Sequence, residues 1–318
     1  MHVFITGSRG FVGRALAEHL RGLRHQVTGL TRRLPGAGEV AGDMLDPDSL
    51  PLALERTQPA VVVNLAARTD LQDGAAADYA VNDEGVRNLM TACASARSVR
   101  RVIWSSSQLA HRIGETPEPS DALDPQTPYG RSKAEGERIV RSGDGGGKEW
   151  VVTRSTTIWG PGQAAHYTRV LRLIESGRYF HIGRSPLKKS YSYVENCAAQ
   201  IASLVLADAA MVHRGTFYLC DSEDIDLVAF YDAFAAQMGR RIPVMPRSIA
   251  RTLARVGDAG AALGMALPLT RARLANILTP YRYDQGPIEA VHGTTAISME
   301  EGIKRTWRWY DTQGRAAL

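Results

Sequence analysis

Apolar positions along this chain recur with two periods, and stretches of the two kinds alternate. "HVFITG" (2–7) is a short apolar, β-branched run that stops at a glycine. "GSRGFVGRALAEHLRG" (7–22) follows, with Val12, Leu16 and Leu20 at helical spacing and Gly22 as a stop. Further strand-like runs are "HQVTGLTRR" (25–33), one ending in "GDMLD" (42–46), "AVVVNLAAR" (60–68), "VRRVIWSSS" (99–107) and "WVVTRSTTIWG" (150–160). The run at 60–68 has the continuous apolar character of a parallel strand covered on both faces. "NDEGVRNLMTACASAR" (82–97) is a well-patterned helix between them. Strands alternating with helices predict an α/β fold, a Rossmann-type doubly wound parallel sheet, over residues 1–162.

Beyond residue 162 the pattern turns irregular. "HYTRVLRLIESGRYFHIG" (166–183) predicts a helix and a short strand. "VENCAAQIASLVLADA" (194–209) and "GTFYLC" (215–220) predict a helix and a strand, so 190–220 is expected to rejoin the first domain. The remainder of 163–318 is expected to form a smaller C-terminal α/β lobe that holds substrate, with helices in 226–240, 246–264 and 269–278. Within 246–264, Ile249, Leu253 and Val256 form an apolar stripe opposite Arg247, Arg251 and Arg255. Basic amphipathic helices can lie on membranes, but here the stripe is expected to pack against its own lobe. The last helix opens at Ser298 with Glu301 three residues on, a capping box.

Composition narrows the function classes. With 318 residues, 44% of them apolar, the chain can bury a large core. Its net charge of +5 is spread along the sequence, which favours anionic small molecules; the clustered stripe that nucleic acid needs is missing. Cys93, Cys197 and Cys220 are odd in number and far apart, without metal-ligand spacing. Neither disulfide nor metal is expected, and a reduced, cytoplasmic setting is. "MHVFITGSRG" lacks the features of a signal peptide, and no apolar run is long enough to span a bilayer, so no membrane partner is expected.

Gly7, Gly10 and Gly13 fall on the turn from the first strand into the first helix. Backbone N–H groups and a positive helix end suit a pyrophosphate there, and side chains would block its approach. A carboxylate ending the second strand would grip the ribose of NAD. Instead Thr31 is followed by Arg32 and Arg33, and Arg9 projects from the glycine turn. Guanidinium groups suit a 2′-phosphate; the alternative is a solvated loop. NADP is favoured over NAD.

"TGSRGFVG" (6–13), "GD" (42–43), "NLAA" (64–67), Asn82, "SSS" (105–107), "PYGRSK" (128–133), "TRSTTIWGPG" (153–162), "SYSYVEN" (190–196) and "ISMEEGIKRTWRWY" (297–310) span nearly the whole chain. In this order they resemble the extended branch of the short-chain dehydrogenase/reductase superfamily, with its nucleotide-sugar epimerases, dehydratases and ketoreductases. The resemblance implies Ser107, Tyr129 and Lys133 as catalytic residues. Residues i and i+4 share a helix face, so the Lys133 ammonium is expected near the Tyr129 phenol, drawing its pKa down. Implied cofactor contacts are Gly7, Gly10 and Gly13 at the pyrophosphate, Asp43 at the adenine, Ala66 of "NLAA", and Lys133 at the nicotinamide ribose. Thr157 and Lys189 align with substrate-holding positions, Lys189 standing where an arginine often meets a diphosphate; a solvated loop lysine is its alternative. Helices 82–97 and 129–141 are implied as a homodimer interface.

Departures from the family pattern narrow the chemistry. Gln108 and Leu109 replace the Asp-Glu pair of 4,6-dehydratases, which argues against elimination. "AHR" (110–112) replaces "VYG", leaving His111 as a substitute substrate contact or a loop histidine. Arg154-Ser155 replaces the usual Arg-Pro. The expectation is an NADP-dependent ketoreductase of a nucleotide-activated sugar. Rivals are an NAD-dependent 4-epimerase, a reductase of a hydroxysteroid-like ketone, and a dinucleotide-sensing protein without turnover.

Overall fold

Seven strands lie parallel in one sheet: β1 (His2–Thr6), β2 (Gln26–Thr31), β3 (Glu39–Ala41), β4 (Val61–Asn64), β5 (Arg101–Ser107), β6 (Glu149–Ser155) and β7 (Thr216–Leu219), in the order β7-β6-β5-β4-β1-β2-β3. The computed structural model describes residues 1–69, 76–114, 122–163, 165–262, 264–265, 267 and 269–315.

The two-residue period of each strand sends alternate side chains to opposite faces. Val3, Ile5, Val61, Val63, Ile103 and Val151 enter one core, shared with α1 (Phe11–Gly22) and with a later helix, Val194–Leu206. Phe4, Val62, Val102, Trp104 and Val152 enter the other, covered by α2 (Ser49–Thr57), α3 (Ala80–Ser95) and α4 (Pro128–Ser142). That is the expected doubly wound sheet. Strand order reverses between β1 and β4, which opens the crevice of such sheets beyond their carboxyl ends.

Three stretches, Met1–Ile158, Ser192–Ser222 and Tyr283–Ala296, form one compact unit that contains the sheet. Trp159–Tyr191, Glu223–Arg282 and the chain from Ile297 form a second. Among the described residues no helix is long and apolar enough to cross a membrane, and no cluster of His, Cys, Asp or Glu is suited to a metal.

Several local expectations are corrected. The third strand ends at Ala41, so 42–46 forms the turn after it. The run 150–160 breaks at Thr156, whose amide and hydroxyl both donate to the Leu219 carbonyl, 3.3 and 2.9 Å away; Thr157–Trp159 is a separate strand. Of the capping box only the serine half forms: Ser298 Oγ accepts from the Glu301 amide, while the Glu301 carboxylate accepts from Arg305.

The largest correction concerns helix Arg247–Ala262. Ile249, Leu253 and Val256 are 50%, 44% and 55% exposed, whereas Ala250 and Ala254 are fully buried against Leu274. A Cβ on Gly257 would lie 1.8 Å from the Leu269 carbonyl oxygen. The helix therefore docks through its small residues, because only they allow so close an approach.

Candidate active site

The turn between β1 and α1 needs glycine for two separate reasons. Gly7 has φ +69°, and a Cβ there would sit 2.7 Å from the Leu65 backbone; one on Gly13 would sit 2.2 Å from the Gly7 carbonyl oxygen. These two glycines are demanded by the turn itself. Gly10 is different, since its Cβ would meet only the Gly7 oxygen, at 3.0 Å. Its outer side is open where α1 begins, and no acid occupies the first turn of that helix. This cradle fits the pyrophosphate of a dinucleotide. Beside it, Thr6 Oγ1 donates to Asn64 Oδ1 (2.6 Å) and accepts from the Ala66 amide (3.1 Å), which fastens "NLAA" to β1. Asp43 lies two residues beyond β3, its carboxylate accepting from the Leu45 amide at 3.0 Å.

Arg32 and Arg33 are exposed beyond β2. Arg9 is already engaged: its Nε and Nη2 donate to the two Glu39 oxygens at 2.7 and 2.5 Å. Glu39 also accepts from the Gly36 amide. The Arg9 guanidinium, then that amide, hold the Glu39 carboxyl down at about 2. Sequence reasoning finds no acid at the end of β2 and misses Glu39, which parallel pairing sets beside Gly29.

α4 starts where the Thr127 hydroxyl caps the Gly130 amide (3.0 Å) and Pro128 occupies the first turn. A Cβ on Gly130 would lie 2.1 Å from the Leu109 carbonyl oxygen, so this helix end presses directly on the short turn that follows β5. That closeness brings Tyr129 against Ser107. Both are buried, as is Lys133. The Lys133 ammonium donates to the Ser105 carbonyl at 2.8 Å. Asn82 of α3 donates to Ser132 Oγ (2.9 Å), and a Cβ on Gly136 would meet the Asn82 carbonyl oxygen at 2.7 Å, so the two helices cross tightly behind the site.

The electrostatics depart from expectation. Burial pushes the Tyr129 phenol up to about 12; hydrogen bonding with Ser107 pulls the other way, and Tyr79 adds to the rise. The Lys133 ammonium is not among the groups that move it. Burial pushes Lys133 down to about 8, against the pull of the Glu137 carboxylate one turn further on. Glu137 is itself buried and accepts from Arg154 at 3.0 and 2.9 Å, while Arg154 also donates to the Tyr218 hydroxyl. Without ligand, Tyr129 is thus a protonated phenol.

Gln108 and His111 are buried; Gln108 Oε1 and His111 Nδ1 have no hydrogen-bond partner among the described residues. Gln108 Nε2 lies 3.5 Å from Thr157 Oγ1, at the limit of a hydrogen bond. Lys189 belongs to the second unit and is no solvated loop residue. It is buried, donates to the Asn276 carbonyl at 3.2 Å, and sits 4.8 Å from the centre of the Tyr281 ring. Its pKa is pushed down to about 8 by burial.

Residues 3–218 match the model of the NAD dependent epimerase/dehydratase family. The chain belongs to that family. It is an NAD(P)-dependent oxidoreductase of the extended short-chain type, as the sequence motifs imply. The 2-alkyl-3-oxoalkanoate reductase of Stenotrophomonas maltophilia is 26% identical over 96% of this chain and 98% of that protein. The N-acetyl-alpha-D-glucosaminyl-diphospho-ditrans,octacis-undecaprenol 4-epimerase of Escherichia coli O157:H7 is 24% identical, covering 77% of this chain and 74% of that one. Among solved structures, Bordetella bronchiseptica WbmH in complex with NAD+ superposes with a TM-score of 0.74 at 17% identity, over 98% of this chain and 99% of that one. This last likeness shows the fold.

Proposed function

We propose that this family member is a ketoreductase that uses NADPH to reduce a ketone on an anionic substrate. The observation that carries the reading is the protonated Tyr129 phenol buried against Ser107 at the carboxyl end of β5. The nicotinamide, when bound, supplies the hydride to the carbonyl carbon. Tyr129 gives its proton to the carbonyl oxygen, and Ser107 hydrogen-bonds that same oxygen, orienting it and stabilising its developing charge. Lys133 holds the nicotinamide ribose. Its ammonium, together with the positive ring of an oxidised cofactor, would stabilise the phenolate left by proton transfer, which burial alone disfavours. Gly7, Gly10 and Gly13 cradle the pyrophosphate, with Asp43 and Ala66 along the adenosine half. Arg32 is the cation for a 2′-phosphate, since Arg9 is paired with Glu39.

Gln108 and Leu109 offer no acid or base for elimination, which argues against a dehydratase. The first substrate is a 4-keto nucleotide sugar, with Thr157 and His111 as its contacts in the first unit. A 2-alkyl-3-oxo acid is the second, favoured by the relative that matches from end to end. A homodimer through α3 and α4 belongs to the same family reading.

The test follows NADPH absorbance with each ketone. Tyr129→Phe is expected to lower kcat by roughly 10²–10⁴-fold, the usual size of a general-acid contribution, with NADPH binding unchanged. Full activity in that variant overturns the assignment.

A further inference from the structure

Helix Arg247–Ala262 presents three faces. Ala250, Ala254 and Gly257 are buried against the following segment, with Leu274 and Leu269 as neighbours. Arg247, Arg251 and Arg255 are exposed along a second face, four residues apart. Ile249, Leu253 and Val256 occupy the third, where about half of each side chain lies open. Met265, just past the helix, is 51% exposed as well. The small-residue face is taken by the second unit's own packing, and among the described residues the aliphatic stripe stays half open. Charge is equally one-sided: residues 241–282 hold seven arginines and a single carboxylate, Asp258, which is paired with Arg271.

We propose that this helix is an in-plane membrane contact, seating its aliphatic stripe at the headgroup boundary of an anionic phospholipid bilayer. An exposed row of branched aliphatic side chains costs free energy in water, and moving it among acyl chains relieves that cost. A polar face made of arginine, with little net hydrophobicity along the helix, is the composition of a helix that lies on a bilayer instead of crossing one. The arginines stand some 160° around the helix from the stripe, as their spacing dictates. Their long stems return the guanidinium groups toward phosphate level, within a Debye length of the surface. A positively charged face selects an anionic bilayer over a zwitterionic one. The proposal is independent of the catalytic reading, since none of these residues belongs to the candidate active site.

The experiment is co-sedimentation of the full chain with vesicles of phosphatidylcholine containing phosphatidylglycerol, and with vesicles of phosphatidylcholine alone. Binding to the anionic vesicles is expected to be at least about tenfold tighter than to the neutral ones and to weaken with salt. Replacing Ile249, Leu253 and Val256 together by serine should abolish binding to both. Arg251→Ser with Arg255→Ser should remove only the preference for anionic lipid. Because all five side chains are exposed, thermal unfolding and NADPH binding should be unchanged, which shows each variant folded. No sedimentation of the wild-type chain with anionic vesicles overturns the proposal. So does wild-type-like binding by the triple variant. A wild-type chain that forms an oligomer which the triple variant loses, without vesicle binding, would assign the stripe to a second copy of this chain.

Discussion

Lys189 keeps an ammonium beneath the surface with a carbonyl and an aromatic ring for company, and burial alone moves its pKa. A drop from 10.5 to about 8 corresponds to a burial cost of about 3 kcal/mol, to order of magnitude, while the group stays charged in both states. Below about pH 8 native and unfolded chains both hold the proton, and the cost is constant. Between about 8 and 10.5 the native chain releases it and the unfolded chain does not, so stability rises with pH; above that the cost is gone. Lys189→Met should therefore raise Tm at pH 7, with the gain fading towards pH 10.5, as scanning calorimetry would show. The same variant separates the substrates: KM should rise tenfold or more for a diphosphate-linked ketone, about the worth of one charge-assisted hydrogen bond, if Lys189 meets that group. A second residue-scale prediction concerns Glu39. Glu39→Gln weakens the hold on Arg9 and should tighten NADPH binding severalfold while leaving NADH nearly unchanged; equal tightening of both would show that Arg9 does not sense the 2′-phosphate. The Ser107, Tyr129 and Lys133 set comes from the family resemblance, with the i, i+4 spacing of Tyr129 and Lys133 in accord. Glu39 is not legible, because its meeting with Arg9 depends on the register of β2 against β3.

At the scale of elements, the catalytic contact is set by how closely α4 can approach the turn after β5. The gap is closed at Gly130, where a Cβ would stand 2.1 Å from a backbone oxygen that has nowhere to go. Gly130→Ala should push the helix end outward and carry Tyr129 away from Ser107. A displacement near 1 Å at a reacting group costs about 100-fold in rate, so kcat should fall by about that factor. NADPH binding at the distant glycine turn should persist, as a fluorescence titration would show; undiminished kcat would mean that the approach is looser than this geometry requires. Most elements are readable, since β1, β2, β4, β5 and β6 follow from short apolar runs and α1 from its spacing, whereas the short β3 stops at Ala41 instead of running on to 42–46. The orientation of Arg247–Ala262 is not readable. Periodicity finds a stripe but carries no information about which face is covered, and here close approach of Ala250, Ala254 and Gly257 outranks the burial of larger side chains.

The whole molecule is assembled by a chain that crosses between two units several times. The apolar stretch after 190 announces one return, to the strand at Thr216–Leu219. Tyr283–Ala296 gives little sign of another, because it brings only Ile288, buried, and Val291, partly buried, to the core, and Tyr283 joins by stacking on Tyr218 at 4.3 Å. The prediction is that residues 1–158 should not fold on their own, although they contain the glycine turn and all three candidate catalytic residues. Cutting there removes Ile201, Leu204, Val205, Phe217 and Leu219 from the core on one face of the sheet. It also strips Arg101, fully buried on β5, of the carbonyls of Leu204 and Ala207 at 2.9 and 2.7 Å, leaving Glu149 as the partner of a guanidinium inside a half-open core. Each large core side chain lost is worth roughly 2–5 kcal/mol, and several together exceed the 5–15 kcal/mol by which a whole domain is commonly stable. The isolated fragment should therefore show no cooperative urea transition, should bind a hydrophobic dye, and should not retain NADPH. A sharp transition with bound cofactor would mean that the strands and helices up to residue 158 bury enough on their own, and that the returning segments serve the second unit more than the first.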